Sequence, residues 1–249
     1  MNISKSMRGS DTMISYEKKL PRCRLLGAAG MGLLAAAMLG GTTAGLMAKV
    51  PGLGEIGFEV LREGSPMGRH SIAFEERGED LHVKIAIDLE VGLAFVTLFR
   101  YEHRNHEVWR DGRLISIETA TDNDGDRFWV KGEATAEGFA VASTSGSYTA
   151  PADVIPTSYW NPRFVEQSQV LNTQDGRLIE VETRPVAEEQ VEVVVGSVLA
   201  TRYSTTGELA LETWYTESGA WVKTAFEAKG SEVEYVLESP LDEVQSANR

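Results

Sequence analysis

DLHVKIAIDLEV, residues 80–91, alternates with a period of two. Leu81, Val83, Ile85, Ile87 and Leu89 fall on one face of an extended chain, and His82, Lys84, Asp88 and Glu90 on the other, with Ala86 neutral. Successive side chains of a strand point to opposite faces, so the segment predicts a half-buried β-strand with His82 on its solvent side, not a ligand. The same alternation recurs at 55–63, 68–77, 94–109, 113–122, 126–134 and 138–149. After a break it returns at 177–185, 189–196, 197–205, 207–216, 220–229 and 231–238. Clusters of turn residues separate these runs, among them EGSPMG (63–68), DNDGD (122–126), ESG (217–219) and KGS (229–231). A strand every ten to twelve residues or so describes a meander of hairpins rather than βαβ units.

One-sided strands need cover for their apolar face, and the sequence holds almost no helix to provide it. Curvature is the available solution. The expected fold is therefore all-β and mainly antiparallel, a large curved sheet forming a barrel or half-barrel. A two-sheet sandwich is the alternative that periodicity does not separate. The long non-strand stretch is APADVIPTSYWNPRFVEQSQVLNTQDG, residues 150–176. Asn161 followed by Pro162 has the form of an N-cap with Pro at the first helical position, which predicts one short helical insertion near 157–169. Its aromatics Tyr159, Trp160 and Phe164 either plug the core or form a lid over an open barrel mouth.

The N-terminus has a different character. Lys18, Lys19, Arg22 and Arg24 precede an uncharged run from Leu25 to Met47, the pattern of a signal peptide, with cleavage sites after Ala44 or Ala48. Expected are an N-terminal tail and signal peptide over 1–48, a single β domain over 49–239 and a polar C-terminal tail over 240–249. The protein is expected to be exported to the periplasm, with no stable membrane insertion after cleavage. The single cysteine, Cys23, lies before the apolar run, so the mature chain has no thiol for a disulfide, a thiolate metal site or a Cys nucleophile. From Lys49 onward 18 basic and 35 acidic side chains leave a net charge of −17, a poor surface for nucleic acid. Nothing in the sequence sets an oligomeric state.

YEHRNHEVWRDGRL, residues 101–114, carries the densest chemistry. Parity places Tyr101, His103, Asn105, Glu107 and Trp109 on one face, and Arg100, Glu102, Arg104, His106 and Arg110 on the other. His103 and His106 then point apart and do not chelate one metal. Arg100, Glu102, Arg104 and Arg110 become a solvated face that pairs charges with neighbouring strands. The odd face is an aromatic end followed by a polar ladder, either a His103–Glu107 hydrogen bond near the rim or the polar floor of an apolar pocket. The candidate ligand-binding residues are thus Tyr101, His103, Asn105, Glu107, Trp109, Tyr159, Trp160 and Phe164. DNDGD spaces Asp122, Asp124 and Asp126 like calcium-loop ligands, but Arg127 stands where that loop needs Gly, so the segment reads as a hairpin turn. No nucleophile elbow, H-E-x-x-H, Walker A or G-x-G-x-x-G motif is present, and no catalytic residue, metal or cofactor is expected.

EVWRDGRL (107–114), TDNDGDRFWV (121–130), TSYW (157–160) and WYTESGAWVKTAFEAKGSEVEYVL (214–237) together resemble an exported bacterial family of unknown function, over most of residues 56–238. The family implies no catalytic residues. More distantly, a leader, a many-stranded curved sheet and one helical insertion are similar to the outer-membrane lipoprotein carriers, whose half-barrels hold acyl chains. That likeness is one of fold; the aromatics on the odd face of the 94–109 run and the lid reading of the connector point to an apolar or lipid-like small molecule as partner. The expected function is a noncatalytic barrel-like module holding such a ligand, with a structural or protein-interaction domain of the envelope as the alternative.

Overall fold

The structure, a computed structural model, describes residues 54–93, 96–194 and 196–238. The leader, the C-terminal tail and Phe95, which belongs to the aromatic end of the odd face, lie outside the described residues. Fourteen strands form one sheet: β1 (Glu55–Arg62), β2 (Ser65–Arg77), β3 (Asp80–Leu93), β4 (Val96–Arg110), β5 (Arg113–Asn123), β6 (Asp126–Ala134), β7 (Phe139–Ser143), β8 (Gly146–Ala150), β9 (Gln169–Leu171), β10 (Leu178–Val193), β11 (Gly196–Gly207), β12 (Leu211–Tyr215), β13 (Trp221–Ala228) and β14 (Ser231–Leu237). Every ladder between them is antiparallel, and β1 pairs with β14, so both chain ends of the sheet lie side by side. From there the meander runs outward in both directions, to β8 on one side and β9 on the other. No ladder joins β8 to β9 among the described residues, so the hydrogen-bonded circuit is open at that one place.

The connector between these edges fills the gap. Residues 151–168 leave β8 and return to β9, and their apolar side chains turn inward: Val154, Ile155, Trp160 and Phe164 are all buried. A 3-10 helix, Pro162–Glu166, begins at Asn161, whose side chain accepts a hydrogen bond from the Arg163 N–H at 3.1 Å. The predicted N-cap and Pro are therefore in place, but only a single tight turn forms before the chain extends into β9.

Period-two patterning accounts for the interior. Val83, Ile85 and Leu89 of β3 are buried while Lys84, Asp88 and Glu90 are exposed. On the outer face the expected charge pairs form between strands: Arg104 with Asp88 at 2.7 Å, Arg100 with Glu90 at 2.9 Å and Arg110 with Asp80 at 2.7 Å. Ladder irregularities at Val60/Leu61, Val91/Gly92 and Val108/Trp109 add the local bend that a rolled sheet needs. Gly132 permits close packing, because a Cβ there would meet the Phe139 ring at 2.3 Å.

Three strand expectations are corrected. The run 138–149 is a hairpin, β7 and β8, turning at Thr144 and Ser145, where Ser143 Oγ accepts from the Ser145 N–H. The runs 177–185 and 189–196 are one strand, β10, which passes Pro185 by slipping register between Pro185 and Ala187. A bulge accommodates a residue that lacks an N–H without ending the strand. The run 207–216 is strand only from Leu211, because Glu208 and Leu209 form a bend that sends Leu209 into the interior.

Candidate functional site

The inward ladder of β4 is as parity predicts. Tyr101, His103, Asn105, Glu107 and Trp109 are all buried, with Glu107 at 0% exposure. The predicted His103–Glu107 hydrogen bond does not form. His103 Nδ1 instead meets Thr121 Oγ1 of β5 at 2.8 Å, directly across the ladder. Glu107 accepts from Asn105 Nδ2 at 2.8 Å through one oxygen, and from the Trp109 and Trp160 indole N–H groups at 2.9 and 3.0 Å through the other. Side chains two apart on one strand face lie closer together than those four apart, which is why the nearer Asn105 takes the place given to His103. Ser158 also turns toward the carboxylate, although its Oγ completes no hydrogen bond of good geometry.

This arrangement ties the connector to the sheet. Trp160 packs edge-on against Trp109 at 5.3 Å and against Phe74 at 5.5 Å. Tyr159 adopts φ 63°, a left-handed conformation that costs a bulky residue free energy, and Tyr215 Oη holds its carbonyl at 2.8 Å. Burial pushes the Glu107 carboxyl above its ordinary range, against the opposing pull of the indole and amide donors. Of the predicted site residues, Glu107, Trp109 and Trp160 thus form a sealed knot, Phe164 is buried edge-on against the Tyr159 ring at 5.2 Å, and these aromatics are plug rather than lid.

The remaining four, Tyr101, His103, Asn105 and Tyr159, line an inner chamber of about 60 Å³ on the other side of Asn105. His70, Gln174 and Tyr235 line it too and were not singled out from sequence. Their signal was present: His70 shares the inward parity of Ile72 and Phe74, and Tyr235 that of Val233 and Leu237. Burial pushes the His70 imidazole down to about 3, with His103 adding to the effect, and the His103 imidazole down to about 4, with Arg104 adding to it. Both rings are neutral near pH 7.

Toward the β3–β4 turn, beyond Tyr101, Leu89 and Tyr235, the interior widens again. A hollow of about 310 Å³ is lined by Met67, Leu89, Val91, Phe99, Phe226 and Val233. Arg62, Asp124 and Lys229 stand at its margin, and Lys229 Nζ lies 5.2 Å from the centre of the Phe99 ring.

The outer face holds one feature that parity alone did not bring together. His82 Nδ1 and His106 Nε2 approach to 3.0 Å across β3 and β4, their rings nearly parallel. No group of three or more His, Cys, Asp or Glu able to hold a metal occurs among the described residues. DNDGD closes as the expected hairpin turn, with positive φ at Asp124 and Gly125 and Asp122 Oδ1 accepting from the Gly125 N–H at 2.8 Å. No helix among the described residues is long and apolar enough to cross a membrane.

Among solved structures the chain is similar to a protein from Brucella abortus described as a beta-barrel-like protein of domain of unknown function DUF1849. The two are 8% identical, 74% of this chain and 94% of that chain are covered, and the TM-score is 0.52, so the likeness is one of fold alone. A search of curated proteins finds no match. A family model described as Domain of unknown function (DUF6134) matches residues 58–238, from β1 through the plug to β14. This chain therefore belongs to that family of unknown function, and its fold is a barrel-like antiparallel sheet.

Proposed function

We propose that the protein is an exported, noncatalytic binding module that takes an amphipathic anion, such as a single acyl chain bearing a carboxylate, into the hollow beside the β3–β4 turn. The observation that carries the reading is that hollow. Its volume of about 310 Å³ suits one chain, its walls are aliphatic and aromatic, and Arg62 and Lys229 outweigh the carboxylate of Asp124 at its margin, a net positive spot on a strongly acidic protein. Export rests on the leader pattern. In this reading the ligand sits at the opposite end of the interior from Glu107 and Trp109, where the plug occupies the space.

Titration of the full chain with dodecanoate by calorimetry tests this. Saturable binding is expected, with Ala228→Trp, which narrows the hollow at its margin, weakening it at least tenfold. Lys229→Glu should weaken dodecanoate while leaving dodecanol binding nearly unchanged. Absence of binding, or equal binding by wild type and Ala228→Trp, would sink the proposal. The plug favours a second reading, a structural or protein-interaction domain of the envelope, which recovery of protein partners without extractable ligand would support.

A further inference from the structure

His70 is the least expected residue of the interior. It is 2% exposed, and Trp221 and Tyr235 present their rings to it edge-on at 5.4 and 5.6 Å. Its neighbours on the same face of β2, Ile72 and Phe74, are apolar. Neither ring nitrogen has a protein partner among the described residues, and neither does Asn105 Oδ1, which lines the same chamber. The Asn105 amide is not free to turn, because its Nδ2 donates to Glu107, and this aims Oδ1 away from the carboxylate. A buried imidazole with two unpaired nitrogens is costly, and a phenyl ring would fill such a space without that cost.

The chemistry of the unpaired atoms specifies what would pair them. A neutral imidazole offers one donor and one acceptor, and Asn105 Oδ1 only accepts. An ion finds no counter-charge on these atoms, whereas a neutral molecule able both to donate and to accept pairs one ring nitrogen with Asn105 Oδ1, and a second such group meets the other nitrogen. The chamber volume of about 60 Å³ gives room for about two waters at roughly 30 Å³ each, or one small solute of similar size.

We propose that the inner chamber is a binding site for a small neutral polar molecule that bridges His70 to Asn105. The occupant is either solvent water or a small solute of the amide or alcohol class. This site is separate from the apolar hollow, and its fate does not depend on whether the hollow binds an amphipathic anion.

Crystals of the full chain, with and without an acetamide soak, provide the test. Ordered density bridging His70 and Asn105 is expected in unsoaked crystals. Replacement of that density by acetamide identifies the site as one for small solutes, and persistence of water identifies the occupant as solvent; both support the proposal. No density at His70 in either crystal overturns it. His70→Leu gives an independent readout: loss of a bonded occupant lowers the melting midpoint by a few degrees, whereas a higher midpoint shows that the imidazole was unpaired and overturns the proposal.

Discussion

On β4 the interior ladder passes from Phe99, at the margin of an apolar hollow, to Trp109, inside a knot that the connector has sealed. The two regions share the same strands and the same inward parity. What separates them is the segment that crosses the gap between β8 and β9. At the sealed end it contributes Trp160, which completes the donor set around Glu107, and at the other end it contributes no wall. A rolled sheet supplies a concave surface along its whole length, and one insertion decides where that surface becomes core and where it stays hollow.

If the knot is structural, removing a member should cost most there. Glu107→Ala leaves three N–H donors unpaired, and Trp160→Ala removes a large buried ring. Each is expected to destabilise by about 3–5 kcal/mol, measured by denaturant unfolding. A loss under about 1 kcal/mol for either would mean that the connector is not locked in place. Trp160→Phe, which keeps most of the ring but not the N–H, should cost less than Trp160→Ala.

The chamber between the two regions should show itself in pH dependence. His70 and His103 titrate at about 3 and about 4 in the folded protein, against about 6.5 unfolded. The unfolded chain binds more protons below about pH 6.5, so their contribution is complete above that value and is lost as pH falls toward the folded values. The loss should reach on the order of 2–3 kcal/mol per histidine by pH 4. Glu107 runs the other way. Its raised carboxyl favours the folded state at low pH, and that contribution is lost as pH rises through the folded value. His70→Leu should therefore flatten the acid limb of a stability–pH curve, and an unchanged slope would show that His70 does not remain neutral.

At the hollow, Phe99→Ala should cost only about 1 kcal/mol, because that ring is half-buried against space rather than packed on all sides. A cost equal to that of Trp160→Ala would erase the difference between the two ends. Smallest of all is the outer face: Arg104→Ala, which removes an exposed pair with Asp88, should change stability by about 0.5 kcal/mol or less, and less still in high salt.

Much of the fold was legible because each strand writes its own two faces in order. Most strand limits, the parity of β4, the cross-strand pairs of Arg100, Arg104 and Arg110, and the Asn161 cap all follow from local pattern. The errors fall where local signals carry two meanings. Pro185 reads as a stop but sits at a bulge, and the Ser-Thr-Ser-Gly run of 143–146 reads as strand but turns a hairpin. The site was half legible. Parity placed Tyr101, His103, Asn105, Glu107 and Trp109 inside together, but their partners Thr121, Trp160 and Gln174 come from elsewhere in the chain.

By itself the sequence determined which residues face inward, because alternation is a property of a single extended chain and needs no partner. Only the tertiary structure decided what those residues meet. Whether a buried ladder becomes a knot, a polar chamber or an apolar hollow depends on how tightly the sheet rolls and where the 151–168 connector lies, and both are set by contacts between residues far apart in sequence.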